Sequence, residues 1–168
     1  NLQPIYISSI DSMNHEPTIK FDKSTLTSTQ QITIGTFFVL TNFDSNSFYD
    51  YHGLISRIQH LDGATDYILV AEHGTKFLNS YLLNGNLFIN NIKTFEFAPL
   101  KTPKIVYGYL ESPVIWDDIA LGWDRFILDG SRFWHGDIYE VIIYDRVLNS
   151  TEIEKVKNYL KEKYAMDF

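Results

Sequence analysis

Two tryptophans, one tyrosine and one aspartate are the residues of this chain best suited to contact a small polar ligand. Trp116 and Trp123 bracket a short acidic segment that contains Asp118, and Tyr51 lies in a separate polar stretch. An aromatic face covers the apolar side of a pyranose ring, while carboxylates accept hydrogen bonds from its hydroxyl groups. The spacing predicts sugar contacts at Trp116, Trp123, Tyr51 and Asp118. Packing in the core or at its rim is the alternative explanation for both tryptophans.

An acidic stretch in the first third of the chain offers oxygen ligands for a calcium ion. Asp44, Asn46 and Asp50 occupy its first, third and seventh positions, and calcium prefers carboxylate and amide oxygens. This pattern predicts a calcium site at these three residues. Aspartate and asparagine also favour turns, so a loop without a metal is the alternative. The rival acidic positions are Asp117-Asp118 and Asp62/Asp66.

Catalytic groups do not form a recognisable array in this sequence. Glu140 lies in a run of isoleucine and valine without a second carboxylate at strand spacing, whereas most glycosidases need a facing pair. The five histidines show no metal-ligand spacing, and the chain has no cysteine. We therefore expect no enzymatic activity and a structural role for Glu140. Its partners should be backbone N–H groups, Arg146 or Arg57, because a buried carboxylate must be compensated.

Composition favours one domain built from strands. The chain has 168 residues, and its 19 isoleucines against 5 alanines, with 15% aromatic residues, are typical of sheets. The net charge of −7 is spread along the chain, which argues against a nucleic-acid partner. No apolar run reaches the roughly 20 residues of a membrane span, so no membrane insertion is expected. Because the sequence opens at Asn1, we expect a segment of a larger polypeptide.

Ten short strand candidates recur along the chain with turn residues between them. Ile32, Ile34, Thr36, Phe38 and Leu40 alternate and predict one mostly apolar strand face. Asn84-Gly85 predicts a two-residue hairpin turn, because both residues tolerate positive φ. This pattern predicts an all-β sandwich or jelly roll of two antiparallel sheets. The candidate strands span residues 18–22, 31–42, 53–59, 66–72, 77–83, 87–90, 92–97, 104–110, 118–122 and 137–144.

A single helix is predicted at the C-terminal end. Ile153, Val156, Leu160 and Tyr164 step by three, four and four residues and form one apolar stripe. Asn149 is placed to cap this helix, with a glutamate three residues later completing a capping box. Leu148 and Ile153 flank the cap as a hydrophobic staple, so the helix should pack its stripe on the sandwich.

The two ends of the chain resemble a known superfamily. The closing stretch runs Gly136-Asp137-Ile138-Tyr139-Glu140-Val141, followed by Tyr144-Asp145-Arg146-Val147-Leu148 and the helix, and the opening stretch contains Pro17-Thr18-Ile19-Lys20-Phe21-Asp22. This order of motifs is similar to that of concanavalin A-like lectin/glucanase domains, including laminin G-like and pentraxin-like jelly rolls. His15 and Lys23 stand where this superfamily usually has glycine, and Trp134 takes an aromatic position that packs in the core. The Glu-x-Asp-x-x-Glu strand of the glucan-cleaving members is absent.

The resemblance and the loop residues together predict a class of function. We expect a non-catalytic carbohydrate-binding or adhesion module of a larger surface, secreted or virion protein. Its partner would be a glycan or polysaccharide, with calcium as a possible cofactor and other domains of the parent protein as neighbours. A structural or assembly domain is the alternative, and a glycan hydrolase or lyase with an unrecognised site is the weaker one. Exposed aromatic residues in a groove would favour binding, whereas a flat apolar patch would favour assembly.

Overall fold

The computed structural model describes residues 3–47, 51–58, 66–72, 74–78, 80, 82–124 and 132–167. Within these ranges the chain forms eleven strands, one short 3₁₀ turn at Asp11–Met13 and one helix. The elements are β1 (Ile5–Ile7), β2 (Thr18–Phe21), β3 (Leu26–Ser28), β4 (Ile32–Thr41), β5 (His52–Ser56), β6 (Tyr67–Ala71), β7 (Leu87–Ile89), β8 (Ile92–Lys93), β9 (Lys104–Trp116), β10 (Ile119–Leu121), β11 (Gly136–Tyr144) and α1 (Ser150–Tyr164).

The strands form two antiparallel sheets. One sheet has the order β1-β2-β11-β4-β9-β7-β8, and the other has the order β3-β10-β5-β6. The prediction of an all-β sandwich of two antiparallel sheets with one C-terminal helix is confirmed. None of the helices in the described ranges is long and apolar enough to cross a membrane.

Most of the predicted strands form, with exceptions around residues 77–97. Within 77–83, the described residue Phe77 forms an isolated bridge to Ala71 and is not part of a strand, and β8 is shorter than the predicted strand 92–97. The sequence analysis did not predict β1 or β3, which are three-residue strands at sheet edges. Short edge strands have one neighbour and little burial, so they leave a weak pattern in the sequence.

The seven-stranded sheet buries apolar residues on both faces. Its inner face meets the four-stranded sheet in a first core that contains Phe37, Val39 and Trp134. Its outer face is covered by α1 in a second core that contains Phe38 and Leu40. A register shift between Ile34 and Thr36 lets Ile34 join the first core, so the predicted alternation from Ile32 to Leu40 breaks at Gly35.

The turns match the sequence pattern in part. Asn84 and Gly85 both have positive φ, and the Leu83 carbonyl accepts from the Asn86 N–H at 2.8 Å. The two-residue hairpin with strands on both sides is instead at Asn90 and Asn91, where Ile89 pairs with Ile92. His15 and Lys23, which stand where the resemblance expects glycine, also have positive φ, at 61° and 49°.

The predicted N-terminus of the helix is confirmed in detail. The Asn149 side chain accepts from the Glu152 N–H at 3.0 Å, and the Glu152 carboxylate accepts from the Asn149 N–H at 3.0 Å. Both Nη atoms of Arg146 donate to Glu152, at 2.9 and 2.7 Å. The stripe of Val156, Leu160 and Tyr164 is buried in the second core as predicted.

This cap predicts a pH-dependent contribution to stability. The Arg146 guanidinium and the Asn149 N–H lower the pKa of Glu152 to about 2. A depressed folded-state pKa stabilises the fold above the unfolded value of about 4.3 and loses that contribution as the pH falls through about 2. We expect Glu152→Gln to lower the melting temperature by a few degrees at pH 7. The gap to wild type should narrow between pH 5 and pH 2, as followed by circular dichroism.

A matched control for this prediction is Glu162→Gln, because Glu162 is an exposed residue of the same helix. This control should melt like the wild type across the whole pH range. A gap between wild type and Glu152→Gln that stays constant down to pH 2 would contradict the assigned role of the carboxylate.

Candidate functional site

The residues predicted to contact sugar are divided between two regions. Asp118 lies where β10 begins and β5 ends, Tyr51 and Trp123 lie towards the opposite end of these two antiparallel strands, and Trp116 ends β9 in the first core. Both tryptophans are buried, Trp116 at 3% and Trp123 at 8% exposure, which agrees with the alternative of packing in the core or at its rim. Trp123 stacks on Phe133 with ring centroids 6.0 Å apart. A sugar cannot stack on indoles buried to this degree without displacing the core.

Arginines compensate buried carboxylates at both ends of these strands. Arg57 lies between Asp66 and Asp118, with nitrogen–oxygen distances of 3.7 and 3.8 Å, and Asp118 also accepts from the Ile58 N–H at 2.7 Å. Arg132 pairs with the fully buried Asp124 at 3.0 Å, and its guanidinium lies 4.8 Å from the centre of the Tyr51 ring. These ion pairs compensate the buried carboxylates, so a structural role is sufficient to explain these residues.

The residues predicted to bind calcium are described only in part. Asp44 pairs with the Lys20 ammonium at 2.8 Å, and this hydrogen bond raises the pKa of Lys20. Asn46 lines a cavity of about 240 Å³ together with Thr75 and Lys101. Asp50 and the rival Asp62 lie outside the described residues. Across the ranges that are described, no three His, Asp or Glu side chains are grouped to hold a metal.

A polar network joins the ends of β4 and β11 on the outer face. The Asn42 amide donates to the Asp137 carboxylate at 3.1 Å and to the Tyr139 hydroxyl at 3.2 Å. Burial raises the pKa of the Asp137 carboxyl, although the Asn42 hydrogen bond opposes this shift. The Asp137 N–H in turn donates to Asn42 at 2.7 Å, so the network fixes the strand ends.

Glu140 has partners that the sequence analysis did not foresee. Its carboxylate accepts from the Lys163 ammonium at 3.0 Å and from the Tyr159 hydroxyl at 2.9 Å. The prediction that backbone N–H groups or an arginine would be its partners is therefore wrong. The helix α1 lies over β11 and places its own polar side chains beside Glu140. Glu140 is half-buried and links the sheet to the helix, which agrees with a structural role.

An aromatic groove lies between α1 and strands β7 and β9 on the outer face. It has a volume of about 450 Å³. Phe88 pairs across the strands with Tyr107, and their rings stack with centroids 4.9 Å apart. The ring of Tyr109, two residues further along β9, lies 6.2 Å from Phe88. The opposite wall of this aromatic groove is formed by Val147 and Leu148, which precede the helix, and by Ser150, Ile153 and Glu154 of α1.

The rim of the aromatic groove carries a compensated pair of charges. The Glu154 carboxylate accepts from the Lys157 ammonium at 2.6 Å, and this ammonium lies 5.8 Å from the centre of the Tyr107 ring. Burial and the nearby Glu154 raise the pKa of the Tyr107 phenol. The groove thus offers aromatic carbon, hydroxyl groups and one exposed carboxylate without a net charge.

The residues of this groove were not predicted from the sequence. Tyr107 and Tyr109 have the period-two spacing of one strand face, which was a usable signal. Their neighbour Phe88 comes from another strand, and the helix wall comes from the C-terminal end. Only the strand pairing and the helix position bring these parts together.

Comparisons with protein-family models, with curated proteins and with solved structures find no match to this chain. Its function must therefore be inferred from its own geometry.

Proposed function

We propose that the chain is a non-catalytic carbohydrate-binding module and that a glycan binds in the aromatic groove. The observation that carries this proposal is the pair of half-buried rings of Phe88 and Tyr109, which stand beside the buried Tyr107 at the wall of an open groove. Such rings cover the apolar face of a sugar. The Glu154 carboxylate and the Ser150 hydroxyl stand opposite them to accept hydrogen bonds from sugar hydroxyl groups.

The carboxylates of the groove favour binding over hydrolysis. Among the described residues that line it, Glu154 is the single carboxylate. Canonical glycosidases place two carboxyl groups on either side of the scissile bond, roughly 5 to 10 Å apart. A groove with one carboxylate supports recognition without cleavage.

The module would belong to a larger surface, secreted or virion protein, and its partner would be a glycan or polysaccharide. The resemblance of the chain ends to concanavalin A-like domains supports this assignment, and the sandwich of two antiparallel sheets agrees with that resemblance. A calcium ion at Asp44, Asn46 and Asp50 stays a prediction, and the aromatic groove does not depend on it.

An assembly domain is the second candidate function. The edge strand β1 exposes Ile5 and Tyr6, which are 65% and 67% exposed. Apolar residues on an open sheet edge are suited to contact another chain. Sedimentation of the isolated chain, alone and as Tyr6→Lys, would reveal self-association through this edge.

A glycan array tests the proposed function. The wild type should be retained by at least one class of immobilised oligosaccharide. Glu154→Gln should weaken this binding roughly tenfold, since a hydrogen bond to a charged group contributes about 1.5–3 kcal/mol. Tyr109→Ala should weaken it further by removing a ring from the groove.

The matched control is Glu162→Gln, an exposed change on the same helix outside the groove. It should bind like the wild type. No retention on any oligosaccharide, or equal binding by wild type and Glu154→Gln, would contradict the aromatic groove as the site.

A further inference from the structure

A second groove runs along the other side of the helix. It lies between α1 and β11, has a volume of about 380 Å³, and is lined by Glu140, Ile142, Tyr144, Lys155, Val156 and Tyr159. Tyr159 is 45% exposed, and Tyr144 is half-buried on the sheet. The second groove therefore pairs accessible aromatic residues with a carboxylate, as the aromatic groove does.

The sheet register relates the two grooves directly. Thr36 of β4 pairs with Tyr144 of β11 on one side and with Tyr109 of β9 on the other. Because neighbouring strands lie about 4.8 Å apart, the two tyrosines stand roughly 10 Å apart in one row. Both lie on the outer face, so the two grooves open in the same direction.

The chain that leads into the helix separates the grooves at this row. The Thr36 hydroxyl donates to the Arg146 carbonyl at 3.0 Å and accepts from the Leu148 N–H at 2.9 Å. These two hydrogen bonds hold residues 146–148, which we call the crossing segment, over Thr36. The helix that follows supplies one wall of each groove.

The charges at the second groove suit an uncharged ligand with many hydroxyl groups. The Glu140 carboxylate is compensated by Lys163, and the Tyr159 hydroxyl accepts from the same ammonium at 3.2 Å. Lys155 stands at the solvent edge, one helical turn from Glu152. Each Glu140 oxygen accepts one hydrogen bond from the protein and has a further lone pair for a sugar hydroxyl group. The Tyr144 ring can cover an apolar sugar face.

We propose that the second groove is a second glycan-binding site, so that one chain holds two glycan segments on a single face. This inference rests on the proposed function and assigns the same class of ligand, an uncharged sugar, to both grooves. Two sites on one face also raise the affinity for a polysaccharide surface, because the second contact forms within an existing complex.

Titration calorimetry with uncharged tetrasaccharides of glucose, galactose and mannose tests this inference. The wild type should bind two molecules of a recognised tetrasaccharide per chain, and Tyr159→Ala should bind one. On the matching immobilised polysaccharide, Tyr159→Ala should be retained roughly 100-fold more weakly, as expected for loss of avidity. Asn158→Ala, an exposed neighbour outside the groove, should leave both measurements unchanged.

The outcomes separate this inference from the proposed function. A stoichiometry of one that Glu154→Gln weakens and Tyr159→Ala leaves alone would overturn the second site and keep the first. A stoichiometry of two that Tyr159→Ala does not change would also overturn it, because the second site would then lie elsewhere. Absence of binding in the calorimeter and on the array would remove the proposed function and this inference together. If the alanine variant does not fold, Tyr159→Phe removes the hydroxyl and keeps the ring; it should weaken one of the two binding events and leave the other unchanged, and wild-type affinities for both would overturn the second site.

Discussion

Replacing Gly35 by alanine is expected to destabilise the protein by about 3 kcal/mol, the upper end of the usual cost of overpacking a core position. A Cβ atom at Gly35 would lie 2.6 Å from the Arg146 Cα and 2.7 Å from its carbonyl oxygen. Both are backbone atoms, so no side chain can rotate away to make room. The crossing segment over Thr36 would have to move, and its two hydrogen bonds to the Thr36 hydroxyl would be strained.

Chemical denaturation of Gly35→Ala against wild type measures this effect. Gly85→Ala is the matched control, because a Cβ there meets nothing within 4 Å. Its φ of 78° should cost only about 1–2 kcal/mol, the usual penalty of the left-handed region. Equal stability of the two alanine variants would show that the crossing segment can shift freely. Since this segment separates the two grooves, Gly35→Ala should also weaken the proposed glycan binding.

The sequence predicts those parts of the fold that depend on local patterns. The cap at Asn149 and the stripe of Val156, Leu160 and Tyr164 lie within one continuous segment, so their spacing alone determines a helix. The strands of the sandwich follow from alternation and turn residues in the same way. Neither pattern says which strands are neighbours.

The candidate site could not be predicted because it depends on strand pairing. The contact between Phe88 and Tyr107 requires that β7 and β9 be neighbours in a definite register. The row of Tyr144, Thr36 and Tyr109 needs three strands in register, with the bulge at Gly35 setting which residues face outward. An aromatic residue beside a turn is ambiguous for the same reason, since the register decided that Trp116 faces the first core.

Removal of residues 149–168 is expected to abolish cooperative folding. The helix covers Phe38, Leu40 and Ile105, which have no solvent exposure in the intact chain. Burial of each such side chain stabilises a fold by about 1.5–3 kcal/mol, and a whole domain is stable by only about 5–15 kcal/mol. The shortened chain should therefore aggregate on gel filtration and bind a hydrophobic dye, and it should lose the proposed tetrasaccharide binding because the helix forms a wall of both grooves.

Leu160→Ala should give a graded loss of about 2–5 kcal/mol in urea, while the exposed Asn158→Ala should stay within about 0.5 kcal/mol. A monomeric shortened chain that melts near the wild-type temperature would show that the sandwich is stable without the second core.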